Sequence, residues 1–192
     1  MSFVGGVGYS NIDLIYSGLD RLPDKGEEIF ARGFSMQFGG GIPATMINLS
    51  RLGVESRIIT FAGHDLFSEF VKKTLNSYPV KTVNLYKGNK MPVVLSSTLL
   101  YCGDRSFISY TDGMDLNDAV MDEVYENLKG AYVVDMHVGF LDVYKRLKKD
   151  GCIQIFDTGW EDDLTLEKYK DYLEIADYYI NTYYDSIFIQ NY

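Results

Sequence analysis

From Asn117 onward the chain alternates strictly between two periodicities, and no other feature restricts its fold as much. Val120, Val124 and Leu128 recur at helical spacing, Ala131 to Asp135 is a short strand-like run, and Phe140 to Lys149 is helical again. A strand from Cys152 to Asp157, a helix from Thr165 to Ala176 and a strand from Tyr178 to Asn181 complete the series. Strands separated by helices cannot form hairpins. They pair in parallel through right-handed crossovers, with helices covering the faces of the sheet, so the expected fold class is α/β.

The first half of the chain reads differently. Phe3 to Val7 is a strand, Gly8-Tyr9-Ser10 a turn, and Ile12 to Ile15 a second short extended piece. Phe30, Phe34, Met36 and Phe38 occupy alternate positions, which predicts a half-buried strand pair bent at Gly33. Ser56 to Ala62 is a buried strand, and Asp65 caps a helix with Phe67, Phe70, Val71 and Leu75 on one face. Val93 to Tyr101 and Arg105 to Tyr110 form a hairpin turning at Cys102-Gly103-Asp104. The strands within residues 12–38 and 93–110 thus predict a separate small sheet on the α/β body, with Asp112-Gly113 and Gly88-Asn89 as hinges. No repeat or proline-rich linker divides residues 1–192, which read as a single domain.

Phe38-Gly39-Gly40-Gly41-Ile42-Pro43 leads directly into a helix whose Ile42, Met46 and Leu49 share a face. Pro43 is pre-set for the first helical turn, and the glycines let backbone N–H groups approach a ligand. Such a helix start suits a phosphate or a sugar hydroxyl. The Asn48-Leu49-Ser50 sequon falls inside this helix.

A formal charge of −9 with 18 scattered Lys and Arg argues against a nucleic-acid surface, and no segment carries about 20 consecutive apolar residues or a signal peptide. A cytoplasmic protein with no membrane or nucleic-acid partner is expected. Cys102 and Cys152 sit in apolar runs without metal-like spacing and read as buried free thiols; no metal site is expected. His64 and His137, the only histidines, form no cluster and read as structural or solvated.

Ligands of open parallel sheets bind beyond the carboxyl ends of the strands. Polar residues follow nearly every strand: Asn11 and Asp13, Gly63-His64-Asp65, Asp135 and His137, Asp157-Thr158-Gly159, and Asn181. A carboxylate beside an amide, as in Asn11-Ile12-Asp13, can accept from and donate to the hydroxyls of a polyol. A dinucleotide-binding reading of Gly6-Val7-Gly8 fails, because Asn11 replaces the third glycine and no helix follows.

Together these motifs resemble the amino-terminal part of the ribokinase-like carbohydrate kinases, the PfkB family. The resemblance runs through Val4-Gly5-Gly6-Val7-Gly8, Asn11-Ile12-Asp13, Leu22-Pro23-Asp24-Lys25-Gly26-Glu27 and the glycine turn into Asn48-Leu49-Ser50-Arg51-Leu52-Gly53. Ala62-Gly63-His64-Asp65 and Phe156-Asp157-Thr158-Gly159-Trp160 continue it in order. It implies a parallel sheet flanked by helices, with a small β-sheet lid that closes over a sugar or nucleoside hydroxyl. It also implies phosphoryl transfer from ATP with Mg²⁺, and a homodimer paired through lid strands. Asn11, Asp13, Gly39, Gly40 and Gly41 would bind substrate, with Asp135, Asp157 and Asn181 at the edge of the site.

The departures are equally specific. The family's Gly-Ala-Gly-Asp segment, with its catalytic aspartate and anion hole, is absent from the 192 residues, so the carboxyl-terminal part of the fold is expected to be missing and the aspartate to lie beyond residue 192. Ala44 stands where relatives carry a sugar-binding asparagine, and Tyr184 where Asn-x-x-Glu places its glutamate. Three readings follow: the substrate-binding and lid portion of a sugar kinase, inactive alone; a non-catalytic sugar-binding remnant or subunit; or a structural interaction module.

Overall fold

A computed structural model describes residues 2–159 and 165–180. The chain opens with β1 (Phe3–Val7), β2 (Asn11–Ser17) and β3 (Gly33–Gly39), then α1 (Gly41–Arg51), β4 (Ser56–Thr60), α2 (Leu66–Asn76) and β5 (Lys81–Asn84). It continues through β6 (Val94–Tyr101), β7 (Asp104–Tyr110), α3 (Asp118–Leu128), β8 (Ala131–Met136), α4 (Leu141–Lys149), β9 (Ile153–Asp157), α5 (Leu166–Ile175) and β10 (Tyr178–Ile180). Six strands build one sheet in the order β10-β9-β8-β1-β4-β5, every pair parallel.

Neighbouring residues of β4 show how the pleat divides the core. Ile58 packs with Ile42, Met46 and Ile47 of α1 and with Val71 and Leu75 of α2. Ile59, on the opposite face, belongs to the cluster that also holds Val124 and Leu128 of α3, Tyr144 and Leu147 of α4, and Tyr172 of α5. Both isoleucines are fully buried, each contributing about 1.5–3 kcal/mol by leaving water. The helices therefore cover both faces, as the alternating pattern requires.

The second sheet has the order β3-β2-β6-β7, with β2 and β6 parallel and the outer pairs antiparallel. Its apolar face carries Ile12, Leu14, Phe38 and Leu95, which pack against the α1 and α2 side of the body. Farther out on that face Phe34, Met36 and Ile108 are exposed. The opposite face carries Asn11, Asp13, Gly39, Ser96, Thr98, Arg105 and Ser109 in cross-strand register. Ser96 and Ser109 bond there through their hydroxyls at 2.8 Å.

Three expectations are corrected. The segment before Gly33 is not a strand: Phe30 is 84 % exposed, and the connection is tied by Arg21–Glu27 and Arg32–Asp20 ion pairs. Cys102 is exposed, because it and Gly103 form the two-residue turn itself, with φ of 50° and 79°. Cys152 is buried and free, as expected. An exposed sheet face rich in Phe30, Phe34 and Phe107, which the sequence offers as a pairing surface, does not form: Phe34 pairs with Tyr16, while Phe107 lies opposite Thr98 on the polar face.

Candidate functional site

The connections from β1 run outward to β4 and β5, and the chain then returns to lay β8, β9 and β10 on the other side of β1. The strand order thus reverses between β1 and β8, the place where open α/β sheets hold ligands at their carboxyl ends. The start of α1 is pressed onto this point. A Cβ on Gly6 would lie 2.6 Å from Ile42 Cγ2, and one on Gly8 would lie 2.9 Å from Ile42 Cγ1. Only glycine there lets the helix approach β1.

Gly40 precedes α1 with φ of 104°, a left-handed conformation that glycine adopts without strain, and its hydrogen position faces the Tyr9 carbonyl. No side chain caps the helix. The first α-helical bond is Ala44 N–H to Gly40 C=O at 3.0 Å, so the N–H groups of Gly41 and Ile42 precede the helical ladder. Gly41 itself has open space around it.

Asn11 and Asp13 alternate along β2 and point to the same side as Gly39, their neighbour on β3. A Cβ on Gly39 would lie 2.6 Å from Asp13 Oδ2 and 3.5 Å from Asn11 Cβ, so glycine makes room for the carboxylate. Burial raises the Asp13 pKa above the usual carboxylate range, and the positive charge of Arg105 opposes that rise.

At the end of β8, Asp135 sits opposite Gly6. Its carboxyl is pushed up to about 6 by burial; the polar Thr45 hydroxyl nearby opposes the shift, and the Asp157 carboxylate adds to it. Asp157 ends β9, where its Oδ1 accepts from Gly159 N–H at 2.8 Å. Asn11, Asp13, Gly39 and Gly40 gather around the entrance to α1, and Asp135 lies beneath its first turn. Asn181 and Tyr184 lie outside the described residues.

His137 lies at the reversal point, directly after β8. Its ring lies edge-on between Tyr9 and Phe140, and Nδ1 is 2.8 Å from the Val138 carbonyl. Burial lowers its pKa, and in the neutral form Nδ1–H donates to that carbonyl, leaving Nε2 as an acceptor. The signal was its position directly after β8. Thr45 and Arg105 carried no sequence signal, since helix packing and cross-strand register place them. Among the described residues no group of three or more His, Cys, Asp or Glu could hold a metal ion.

A separate hollow of about 540 Å³ lies between Tyr86–Lys90 and Asp112–Asn117. It contains none of Asn11, Asp13, Gly39, Gly40 or Gly41, and marks where two of the connections to the small sheet, β5 to β6 and β7 to α3, cross. Asp112 binds the crossings together, accepting from Met91 N–H and Tyr110 O–H, both at 2.8 Å.

The fold is that of solved ribokinases. The Giardia lamblia ribokinase matches with a TM-score of 0.79 at 17 % identity, over 98 % of this chain and 59 % of its own. The Arabidopsis thaliana ribokinase complexed with ribose and ATP matches at 0.72 and 22 % identity, over 94 % of this chain and 60 % of its own. An uncharacterized sugar kinase from Pyrococcus horikoshii matches at 0.72 and 24 % identity, over 99 % of this chain and 66 % of its own. A sequence comparison with the same archaeal kinase gives 35 % identity over 92 residues, 45 % of this chain and 30 % of the relative. The chain thus spans about 60 % of the length of these two ribokinases. The pfkB family carbohydrate kinase model matches residues 1–183, and the chain belongs to that family.

Proposed function

We propose that this chain is the substrate-binding and lid portion of an ATP-dependent carbohydrate kinase, which transfers a phosphoryl group to a hydroxyl of a sugar or nucleoside. The observation that carries this reading is the clustering of Asn11, Asp13 and Gly39 beside the uncapped start of α1. In this reading Asn11 and Asp13 take substrate hydroxyls by hydrogen bonding, and the N–H groups around Gly40 and Gly41 complete the cradle. Asp135 and Asp157 form its edge, and the four-stranded sheet closes over the substrate and excludes water.

ATP and Mg²⁺ enter with the family. The described residues offer no metal cluster, so no step is assigned to the ion. The sequence contains no Gly-Ala-Gly-Asp, the segment that supplies the family's proton acceptor and anion hole. We therefore propose that the chain alone binds substrate without turning it over. The exposed Phe34, Met36 and Ile108 support pairing of two copies through the small sheet. No described helix is long and apolar enough to cross a membrane, and the proposed location is the cytoplasm.

The test is thermal stabilisation by a panel of sugars and nucleosides, repeated on Asp13→Asn, with ATP consumption followed in parallel. At least one sugar or nucleoside is expected to raise Tm in the wild type and not in the variant. Stabilisation by none, or equal stabilisation of both proteins, refutes the binding role; turnover on the order of 1–10³ per second refutes inactivity.

A further inference from the structure

Two tyrosines reach from the helices to the loop that carries His137, residues 137–140 between β8 and α4. His137 N–H donates to the Tyr144 hydroxyl oxygen, and Gly139 N–H donates to the Tyr172 hydroxyl oxygen, both at 2.8 Å. Tyr144 belongs to α4 and is fully buried; Tyr172 belongs to α5 and is 7 % exposed. Each tyrosine is itself anchored. Gln154 Nε2 donates to the Tyr144 carbonyl at 2.6 Å, and the Tyr172 ring stacks on Phe156 with centres 5.3 Å apart.

These bonds fix more than two N–H groups. Gly139 has a φ of 103°, a region that glycine enters freely, so the peptide before it depends on outside contacts for its orientation. That peptide is planar, and its carbonyl is the Val138 oxygen that lies 2.8 Å from His137 Nδ1. Holding Gly139 N–H therefore aims the Val138 carbonyl at the imidazole, and that carbonyl selects the neutral tautomer with the proton on Nδ1 and a bare Nε2. Tyr144 holds the peptide that enters His137, while the Tyr9 and Phe140 rings flank the imidazole. His137 Cδ2, bonded to Nε2, lies 3.7 Å from the place a Cβ on Gly8 would take, so this edge of the ring is turned to the carboxyl end of β1.

Resting on the sugar-kinase reading above, we propose that Tyr144 and Tyr172 are positioning residues: their hydroxyls set the loop so that His137 offers Nε2 as a ready acceptor to a substrate hydroxyl. Neither tyrosine touches substrate. With the loop free to turn, the Nδ1–H bond is lost and part of the population carries its proton on Nε2, which converts the acceptor into a donor.

The test combines ¹⁵N NMR of the histidine rings with calorimetric binding of ribose, fructose, glucose and adenosine to the wild type, Tyr144→Phe, Tyr172→Phe, Leu147→Ala and His137→Ala. Phenylalanine keeps each ring and removes only the hydroxyl. Leu147, fully buried on α4, controls for lost stability, and the exposed His64, the other histidine, is the internal reference. The wild type is expected to show His137 protonated on Nδ1 and to bind at least one compound. Tyr172→Phe should show both tautomers, each tyrosine variant should lose about ten-fold in affinity, and Leu147→Ala should stay within about two-fold with its tautomer unchanged. Adding Tyr172→Phe to His137→Ala should weaken binding no further, because the tyrosine acts through the histidine. An unchanged tautomer in Tyr172→Phe, an equal loss in Leu147→Ala, or additive losses in the double variant overturns this inference alone. Absence of binding by every compound overturns the sugar-kinase reading with it.

Discussion

Replacing Gly6 by alanine tests whether the start of α1 rests on β1 as tightly as the geometry says. The added Cβ would sit 2.6 Å from Ile42 Cγ2, 3.4 Å from the Asp135 carbonyl oxygen and 3.5 Å from Met46 Cε. Carbon atoms prefer about 3.5–4.0 Å, so the overlap with Ile42 is roughly 1 Å. Ile42 is β-branched and in the first turn of α1, where its χ1 is stiff and Cγ2 cannot swing away. The helix start itself must lift. Overpacking of this kind costs about 1–3 kcal/mol, and loss of glycine's freedom in the unfolded chain returns about 0.4–1 kcal/mol. A net loss of about 1–2 kcal/mol is expected, or a fall in Tm of about 2–8 °C for a chain of this size. Urea unfolding of Gly6→Ala, Ile42→Ala and the double variant isolates the contact. Ile42→Ala alone should cost about 2–5 kcal/mol, and the double variant should be more stable than additivity predicts by about 0.5–3 kcal/mol. Strictly additive losses would refute the claim that these two residues touch.

Asp135 supplies a pH prediction: with its folded pKa raised to about 6, the folded state holds a proton that the unfolded state releases at lower pH. This carboxyl's penalty is absent below its unfolded pKa of about 4 and fully present above 6, so Asp135→Asn should gain stability relative to wild type as pH rises through that window; parallel Tm curves would contradict it. Ser10 and Thr60 share a buried hydroxyl bond at 2.9 Å, so Ser10→Ala should cost about 1–3 kcal/mol by stranding Thr60. Adding Thr60→Val should recover part of that loss in thermal unfolding. Asp65 caps α2 by accepting from the N–H groups of Phe67 and Ser68, both at 3.0 Å. Asp65→Ala should cost about 0.5–2 kcal/mol in urea unfolding, and an unchanged midpoint would argue against the cap.

The body of the fold was legible because its signals are local and repeated. Helical spacing in Val124 and Leu128, and paired apolar residues at Ile58 and Ile59, point to a sheet covered on both faces. The segment before Gly33 misled because period two says only that side chains alternate; it cannot say that a partner strand is available to pair, and Phe30 finds none. Cys102 misled because an apolar neighbourhood in sequence resembles a strand interior, although its place between Tyr101 and Gly103 makes it the turn. At the candidate site, Asn11, Asp13 and the glycines were visible as short motifs. Arg105 and Thr45 were not, since cross-strand register and helix packing place them.

The parallel pairing of β2 with β6 has a kinetic consequence. Asn11 must find Val94, and between them lie α1, β4, α2 and β5, so the join cannot close until much of the body is in place. Each half of the small sheet can zip as an antiparallel pair on its own, but the seam between the halves has to wait for a long-range closure. It is also the natural first place to open, and amide protons along that seam should exchange with solvent sooner than those between β1 and β4.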